Sequence, residues 1–231
     1  MSDDAHKITT PLEVLGVMAS QNVMLTPTLR HIEMYTMKGL LSALWHEPTT
    51  DLFSAGVVTC GGAMGGLLGP GEGLYHELGQ ILSARGVPTL RVSYRRPNDM
   101  DACCVDVAAA VQLLVGSGVE RVVIMGHSFG GAVAVRVAVA LPDIVAGVVT
   151  FSTQSAGCEI AGGLNGRPLL LFHGDKDEIL PVEASEVVKA IAGHGDLHIM
   201  SSDGHLLSHS QQAMLDILLP WLGEVLGLHP E

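Results

Sequence analysis

Cations are scarce in this sequence. Lys and Arg number 12 against 24 Asp and Glu, a formal net charge of −12. Binding a phosphate backbone needs clustered positive charge, so this balance argues against a nucleic-acid partner. It says little about a small substrate, because net charge governs solubility and steering more than chemistry. Cysteine is sparse too. Cys60, Cys103, Cys104 and Cys158 show no C-x-x-C spacing and two are adjacent. They read as small core hydrophobes in a reducing compartment, not as metal ligands or disulfide partners. Met1 to Thr10 is polar and acidic and lacks the basic start and apolar centre of a secretion signal. Long unbroken apolar runs are missing as well. The most apolar window, Ala132 to Phe151, holds Arg136, Pro142 and Asp143 and does not qualify as a membrane span. A cytoplasmic protein without a membrane partner is expected. No internal repeat, low-complexity tract or linker divides the chain, so one domain over 1–231 is expected, with 1–10 flexible.

What is present is apolar sequence in short blocks. Hydrophobic residues make up 48% of the chain and charged ones 16%, enough for a large core. Strands are expected at Ser54–Cys60, Val87–Tyr94, Val122–Met125, Val145–Phe151 and Pro168–Phe172, the last wholly apolar, with another near Leu197–Met200. Arg30 to Trp45 suits two strands joined near Lys38-Gly39, although Leu40 to Leu44 suits a helix equally. Glu47 to Asp51 is turn material. Helices are expected from Leu74 to Leu82, closed by Gly86, and after an Asp99 or Asp101 cap, with the stripe Cys104, Val107, Ala108, Val111, Leu114 and Val115. Others are expected over Val182–Ala192 and Ser210–Leu226, the last kinked or divided by Pro220. Strands that do not alternate, each separated by a helix, imply an α/β fold: a mostly parallel sheet with helices on both faces.

The densest stretch is Arg121 to Val135. An apolar strand runs into Gly126-His127-Ser128-Phe129-Gly130-Gly131, and an Ala/Val-rich helix follows. G-x-S-x-G at a strand-to-helix turn holds a serine in a strained conformation, with its hydroxyl projecting from the top of the sheet. Ser128 would also sit at a helix N-terminus, which favours developing negative charge. A serine hydroxyl needs a base to take its proton, and the base needs an acid to fix its tautomer. Two later strands supply such residues. One precedes His173-Gly174-Asp175-Lys176-Asp177-Glu178, and the other precedes Asp203-Gly204-His205. The order Ser128, Asp177, His205 is one of the known triad orders.

On these three motifs the sequence, from about Ile32 to Leu226, resembles the α/β hydrolases. Its size and the Gly-His-Ser-Phe-Gly-Gly-Ala-Val-Ala segment are similar to small lid-less bacterial hydrolases of the dienelactone-hydrolase-like kind. Dienelactone hydrolases proper use a cysteine nucleophile, so lactone specificity does not follow for Ser128. The resemblance selects Asp177, three residues after Gly174, as the acid, with Asp175 the alternative. His205 is preferred as base, with His209 the competitor. It also implies an oxyanion hole from the N–H groups of Phe129 and Gly62, with Ala63 close behind, although Cys60 stands where the family usually has histidine. Met64, His127, Gln154 and Leu180 are candidate substrate neighbours by loop position. For His127 and His173, packing around the strand ends is preferred over proton transfer. Ser152 to Arg167 is too short to insert a helical lid.

Other signals are set aside. His205-x-x-x-His209 and His194-x-x-x-His198 lack the H-E-x-x-H pattern of a zinc site. Gly61 to Gly73 lacks the G-K-[ST] of a phosphate loop. For Arg95 and Arg96 a structural role is weighed above anion binding. No metal or cofactor is expected. The expected activity is hydrolysis of a small carboxylic ester or thioester. Amide hydrolysis, acyl transfer, perhydrolysis and a non-catalytic ligand-binding role are the alternatives.

Overall fold

A computed structural model describes residues 9–49 and 54–228. Four strands are apolar through their centres and lack an alternating polar face: β4 (Ala55–Cys60), β6 (Arg121–His127), β7 (Val145–Phe151) and β8 (Leu169–Gly174). Nearly every residue in them is buried. A strand without a polar face must be covered on both sides, and helices cover these. The sheet also contains β1 (Val17–Thr26), β2 (Leu29–Thr36), β3 (Gly39–His46), β5 (Thr89–Ser93) and β9 (Asp196–Met200). Its nine strands run in the order β1-β2-β3-β5-β4-β6-β7-β8-β9. The β1/β2, β2/β3 and β3/β5 pairs are antiparallel, and every pair from β5/β4 onward is parallel.

On one face pack α1 (Pro11–Leu15), α3 (Met100–Gly116), α4 (Phe129–Ala140) and Val188 of α5 (Glu183–Ala192). On the other pack α2 (Leu74–Ala84) and α6 (Gln211–Leu226), through Leu74, Leu78, Met214 and Leu218. Gly86 takes a left-handed φ of 82° just beyond α2, and Asp99 caps α3 through the Ala102 N–H. The link from β7 to β8 holds only a 3₁₀ turn, Ala161–Leu164, and no helical lid.

Several expectations need correction. Thr10 does not fray, because it forms a capping box with Glu13 at the start of α1. Residues 1–8 lie outside the described residues, as do Thr50 and Asp51 of the expected turn. Leu40 to Leu44 is strand, fixed by pairing to β2 on one side and β5 on the other. Of the stripe expected on α3, Val107, Val111 and Leu114 are buried, but Cys104 and Ala108 are half-buried and Val115 is exposed, while Cys103, Asp106 and Ala110 are buried in addition. α1 docks on α3, with a bond from Leu12 N–H to Gln112. α6 continues through Pro220, because Pro220 and Asp216, one turn earlier, both face solvent. Water there can satisfy the carbonyl that the proline leaves unpaired. β1 was not foreseen.

Candidate active site

The carboxyl ends of β4, β6, β8 and β9 converge above the sheet. At the end of β6, Ser128 adopts φ 56° and ψ −120°, conformational space that side-chain-bearing residues rarely occupy. Three glycines make this turn possible. A Cβ on Gly126 would strike the Gly130 carbonyl, one on Gly130 the Gly61 carbonyl, and one on Gly131 the Thr153 side chain. The turn is tied to β7 by the Ser128 N–H, which donates to the Phe151 carbonyl at 2.8 Å. Phe129 opens α4, so its N–H has no intrahelical acceptor.

The loop after β4 lies against this turn. A Cβ on Gly62 would sit 3.5 Å from Ser128 Cβ and 3.6 Å from His127 Nδ1. Two buried tyrosines pin the start of the loop: Tyr75 Oη donates to the Cys60 carbonyl at 3.2 Å and Tyr94 Oη to the Gly61 carbonyl at 3.1 Å. The Cys60 thiol is fully buried, and burial pushes it up to about 12, so it is a packing group and not a nucleophile.

The acid and the imidazole meet from β8 and β9. His205 Nδ1 donates to Asp177 Oδ2 at 2.7 Å, and the two side chains are 11% and 1% exposed. Asp177 Oδ1 accepts the N–H groups of Ile179 and Leu180 at 2.8 and 2.9 Å. Burial alone would raise the Asp177 pKa; the bonds from Leu180, His205 and Ile179 outweigh it, and the net shift is downward. His173, fully buried, gives its Nε2 proton to the Leu180 carbonyl at 2.9 Å and lies 3.2 Å from Asp177 Oδ2. Its Nδ1 accepts from Ser185 Oγ at 2.7 Å. His127 Nε2 donates to the His205 carbonyl at 2.9 Å, and the two rings stand 4.9 Å apart. That bond ties the elbow to the histidine loop. Burial lowers the His127 pKa to about 4, so it is neutral at physiological pH. Among the described residues no hydrogen bond joins Ser128 Oγ to His205 Nε2, and that nitrogen is left free. Such contacts commonly tighten only when substrate binds.

Residues 106–219 match the model of the Phospholipase/Carboxylesterase family. Among curated proteins no match is found. Solved structures match well. Est1E from Butyrivibrio proteoclasticus superposes with a TM-score of 0.71 at 18% identity, over 85% of this chain and 99% of its own. A dienelactone hydrolase from Anabaena variabilis gives 0.71 at 16% identity, over 89% and 98%. An α/β serine hydrolase without a lid, from Xanthomonas campestris, gives 0.71 at 16%, over 90% and 100%. The chain has the α/β-hydrolase fold.

Other candidate residues take different positions. Asp175 is exposed and accepts the Ser202 N–H at 2.6 Å, so it steadies the β9 loop and does not touch His205. His209 is exposed and engaged only through its N–H, which donates to Asp203. Asp203, absent from the expected site residues, is buried and organises the histidine loop. It accepts from Gly204 N–H and His209 N–H, both at 2.9 Å, and from Ser210 Oγ at 2.7 Å. Gly174 is required beside it, because a Cβ there would strike the Asp203 carbonyl. Its signal was the Asp203-Gly204-His205 motif itself.

Met64 is 93% exposed and is followed by Gly65 and Gly66, both at positive φ. The Gln154 amide folds back to the Ala156 carbonyl at 2.7 Å. Leu180 remains half-buried beside the acid. Arg95 is structural: its Nε and N–H bind Asp106 at 2.5 and 2.8 Å, and both side chains are buried. Arg96 is exposed and paired with Asp99 at 3.2 Å. Both arginines line a cavity of about 250 Å³ that includes none of Ser128, Asp177 and His205. His194 spends both ring nitrogens on the Ala192 and Arg167 carbonyls. No metal-holding cluster occurs among the described residues, and no helix there is long and apolar enough to cross a membrane.

Proposed function

We propose that this protein is a serine hydrolase that cleaves carboxylic esters or thioesters of small acyl groups through an acyl-enzyme. Ser128 attacks the carbonyl carbon while His205 Nε2 takes the hydroxyl proton, and Asp177 holds His205 in the required tautomer and stabilises its cation. The N–H groups of Phe129 and Gly62, with Ala63 beside it, receive the oxyanion. His205 then returns the proton to the leaving alcohol or thiol. Water enters and gives a proton to His205 as its oxygen attacks the acyl carbonyl; His205 then returns that proton to Ser128 Oγ as the bond to the acyl group breaks and the acid leaves. The observation that carries this reading is the 2.7 Å bond from His205 to a carboxylate that two backbone N–H groups already hold. His127, which precedes a serine in the strained elbow conformation, is bonded to the His205 carbonyl. The family match over residues 106–219 supports esters as the bond class. The lid-less β7–β8 link supports an open site and therefore short acyl groups. The four unbridged cysteines support a reducing compartment, the cytoplasm.

A fluorophosphonate probe tests the nucleophile. It should label the wild-type protein at Ser128 and leave folded Ser128→Ala unlabelled, and that variant should lose roughly 10⁶-fold in ester turnover. A p-nitrophenyl ester series from acetate to laurate should show kcat/KM falling with chain length. Equal labelling of both proteins, or turnover within tenfold of wild type in Ser128→Ala, overturns the assignment.

A further inference from the structure

The sheet ends in two edges that are built differently. β9 is five residues long and carries Asp196 and His198. β1 is ten residues long, and Val-Met-Ala-Ser-Gln-Asn-Val-Met-Leu-Thr holds no charge, proline or glycine. Every residue of it is exposed, Met18 by 61% and Val23 by 54%. Among the described residues it pairs only with β2. Edge strands are normally protected by shortness, charge, proline or a central bulge. β1 has none of these: its irregularities fall toward its ends, between Val17 and Ala19 and between Met24 and Thr26.

The strand is also palindromic in chemical class. About Gln21 it matches Val17 with Leu25, Met18 with Met24, Ala19 with Val23, and Ser20 with Asn22. In an antiparallel pair the opposed residue numbers have a constant sum. Two copies related by a two-fold axis at Gln21 therefore set apolar against apolar and polar against polar at every one of these positions. A foreign strand gains nothing from that symmetry, whereas a second copy does. Each copy carries a net charge of −12, and an edge free of charge is where like-charged copies can meet.

We propose that the chain pairs with a second copy of itself through β1, antiparallel about Gln21, joining two sheets into one. The proposal is independent of the hydrolase reading. One strand pair is a small interface, so dissociation in the micromolar range is expected, tightening with salt as the charges are screened.

Sedimentation velocity over about 1–200 µM brackets that range. It should show a concentration-dependent dimer, and Gln21→Lys, which opposes two lysines on the axis, should raise its dissociation constant at least about tenfold. Circular dichroism confirms that the variant is folded. A short bismaleimide tests the register. Gln21→Cys should cross-link to itself. Val17→Cys alone should not, because its two copies lie roughly 27 Å apart at eight strand residues, but it should link to Leu25→Cys when the two are mixed. A monomer at every concentration overturns the proposal. So does a dimer indifferent to Gln21→Lys, or Val17→Cys cross-linking to itself as readily as Gln21→Cys.

Discussion

At Asp177 one carboxylate joins two structures: Oδ2 holds His205 while Oδ1 gathers the N–H groups of its own loop. Asp177→Asn removes the charge that favours the His205 cation and presents an amide in place of an acceptor, so kcat should fall roughly 10⁴-fold. Asp175→Asn loses only an exposed bond to Ser202 N–H and should stay within about tenfold. Steady-state kinetics on one short ester compares the two, and the reverse ranking would move the acid to Asp175. His127 yields a prediction about stability. Its folded pKa lies near 4 and its ordinary value near 6.5, so between these the unfolded chain takes up a proton that the folded chain does not. Stability is then complete above pH 6.5 and declines as pH falls toward 4, by on the order of 3 kcal/mol at the lower end. His46, buried and lowered to about 3, adds a slope of the same sign. His127→Gln keeps a donor for the His205 carbonyl but cannot titrate. Urea midpoints between pH 6.5 and 4 should fall less steeply in this variant than in wild type; parallel slopes would remove His127 as a cause.

Among the elements, the loop after β9 depends most on a single side chain. Asp203 satisfies Gly204 N–H, His209 N–H and Ser210 Oγ at once, and it is buried. Asp203→Ala leaves three polar groups without their acceptor, and unmet buried groups cost about 1–3 kcal/mol each. A drop in melting temperature is expected together with a fall in kcat, because the same loop carries His205; unchanged values in both would remove Asp203 from this role. How much could be read beforehand follows from how local each signal is. The elbow was legible because Gly126, Ser128, Gly130 and Gly131 are consecutive and each glycine answers a steric demand. The loops of Asp177 and His205 were legible because each follows a short strand and carries a compact local motif, His173-Gly174 and Asp203-Gly204-His205. β1 was not, because its apolar residues fall on both faces and match neither a helical nor an alternating period. Tyr75 and Tyr94 carry no motif, and only the assembled sheet brings their hydroxyls to the Cys60 and Gly61 carbonyls. Sequence does not state which way a loop side chain turns, so the bond from the Gln154 amide to the Ala156 carbonyl was not legible.

The whole molecule contributes a field. A net charge of −12 spreads over the surface, and exposed Asp175 and Glu178 stand in the same loop as Asp177. Without a lid the substrate approaches this field through solvent, where the Debye length shrinks from about 30 Å at 0.01 M salt to about 8 Å at 0.15 M. An anionic ester should therefore be repelled at low salt and less so at high salt, while a neutral ester with the same acyl group should be indifferent. Raising salt across that range should increase kcat/KM for a sulfonated aryl acetate several-fold and leave phenyl acetate within error. The ratio of the two substrates cancels any effect of salt on folding or on association, since both report on the same protein under the same conditions. Asp175→Asn combined with Glu178→Gln should flatten the anionic slope if the local pair dominates, and leave it intact if the field belongs to the whole surface. A neutral ester that responds to salt as strongly as the anionic one would show that steering is not what the charge does.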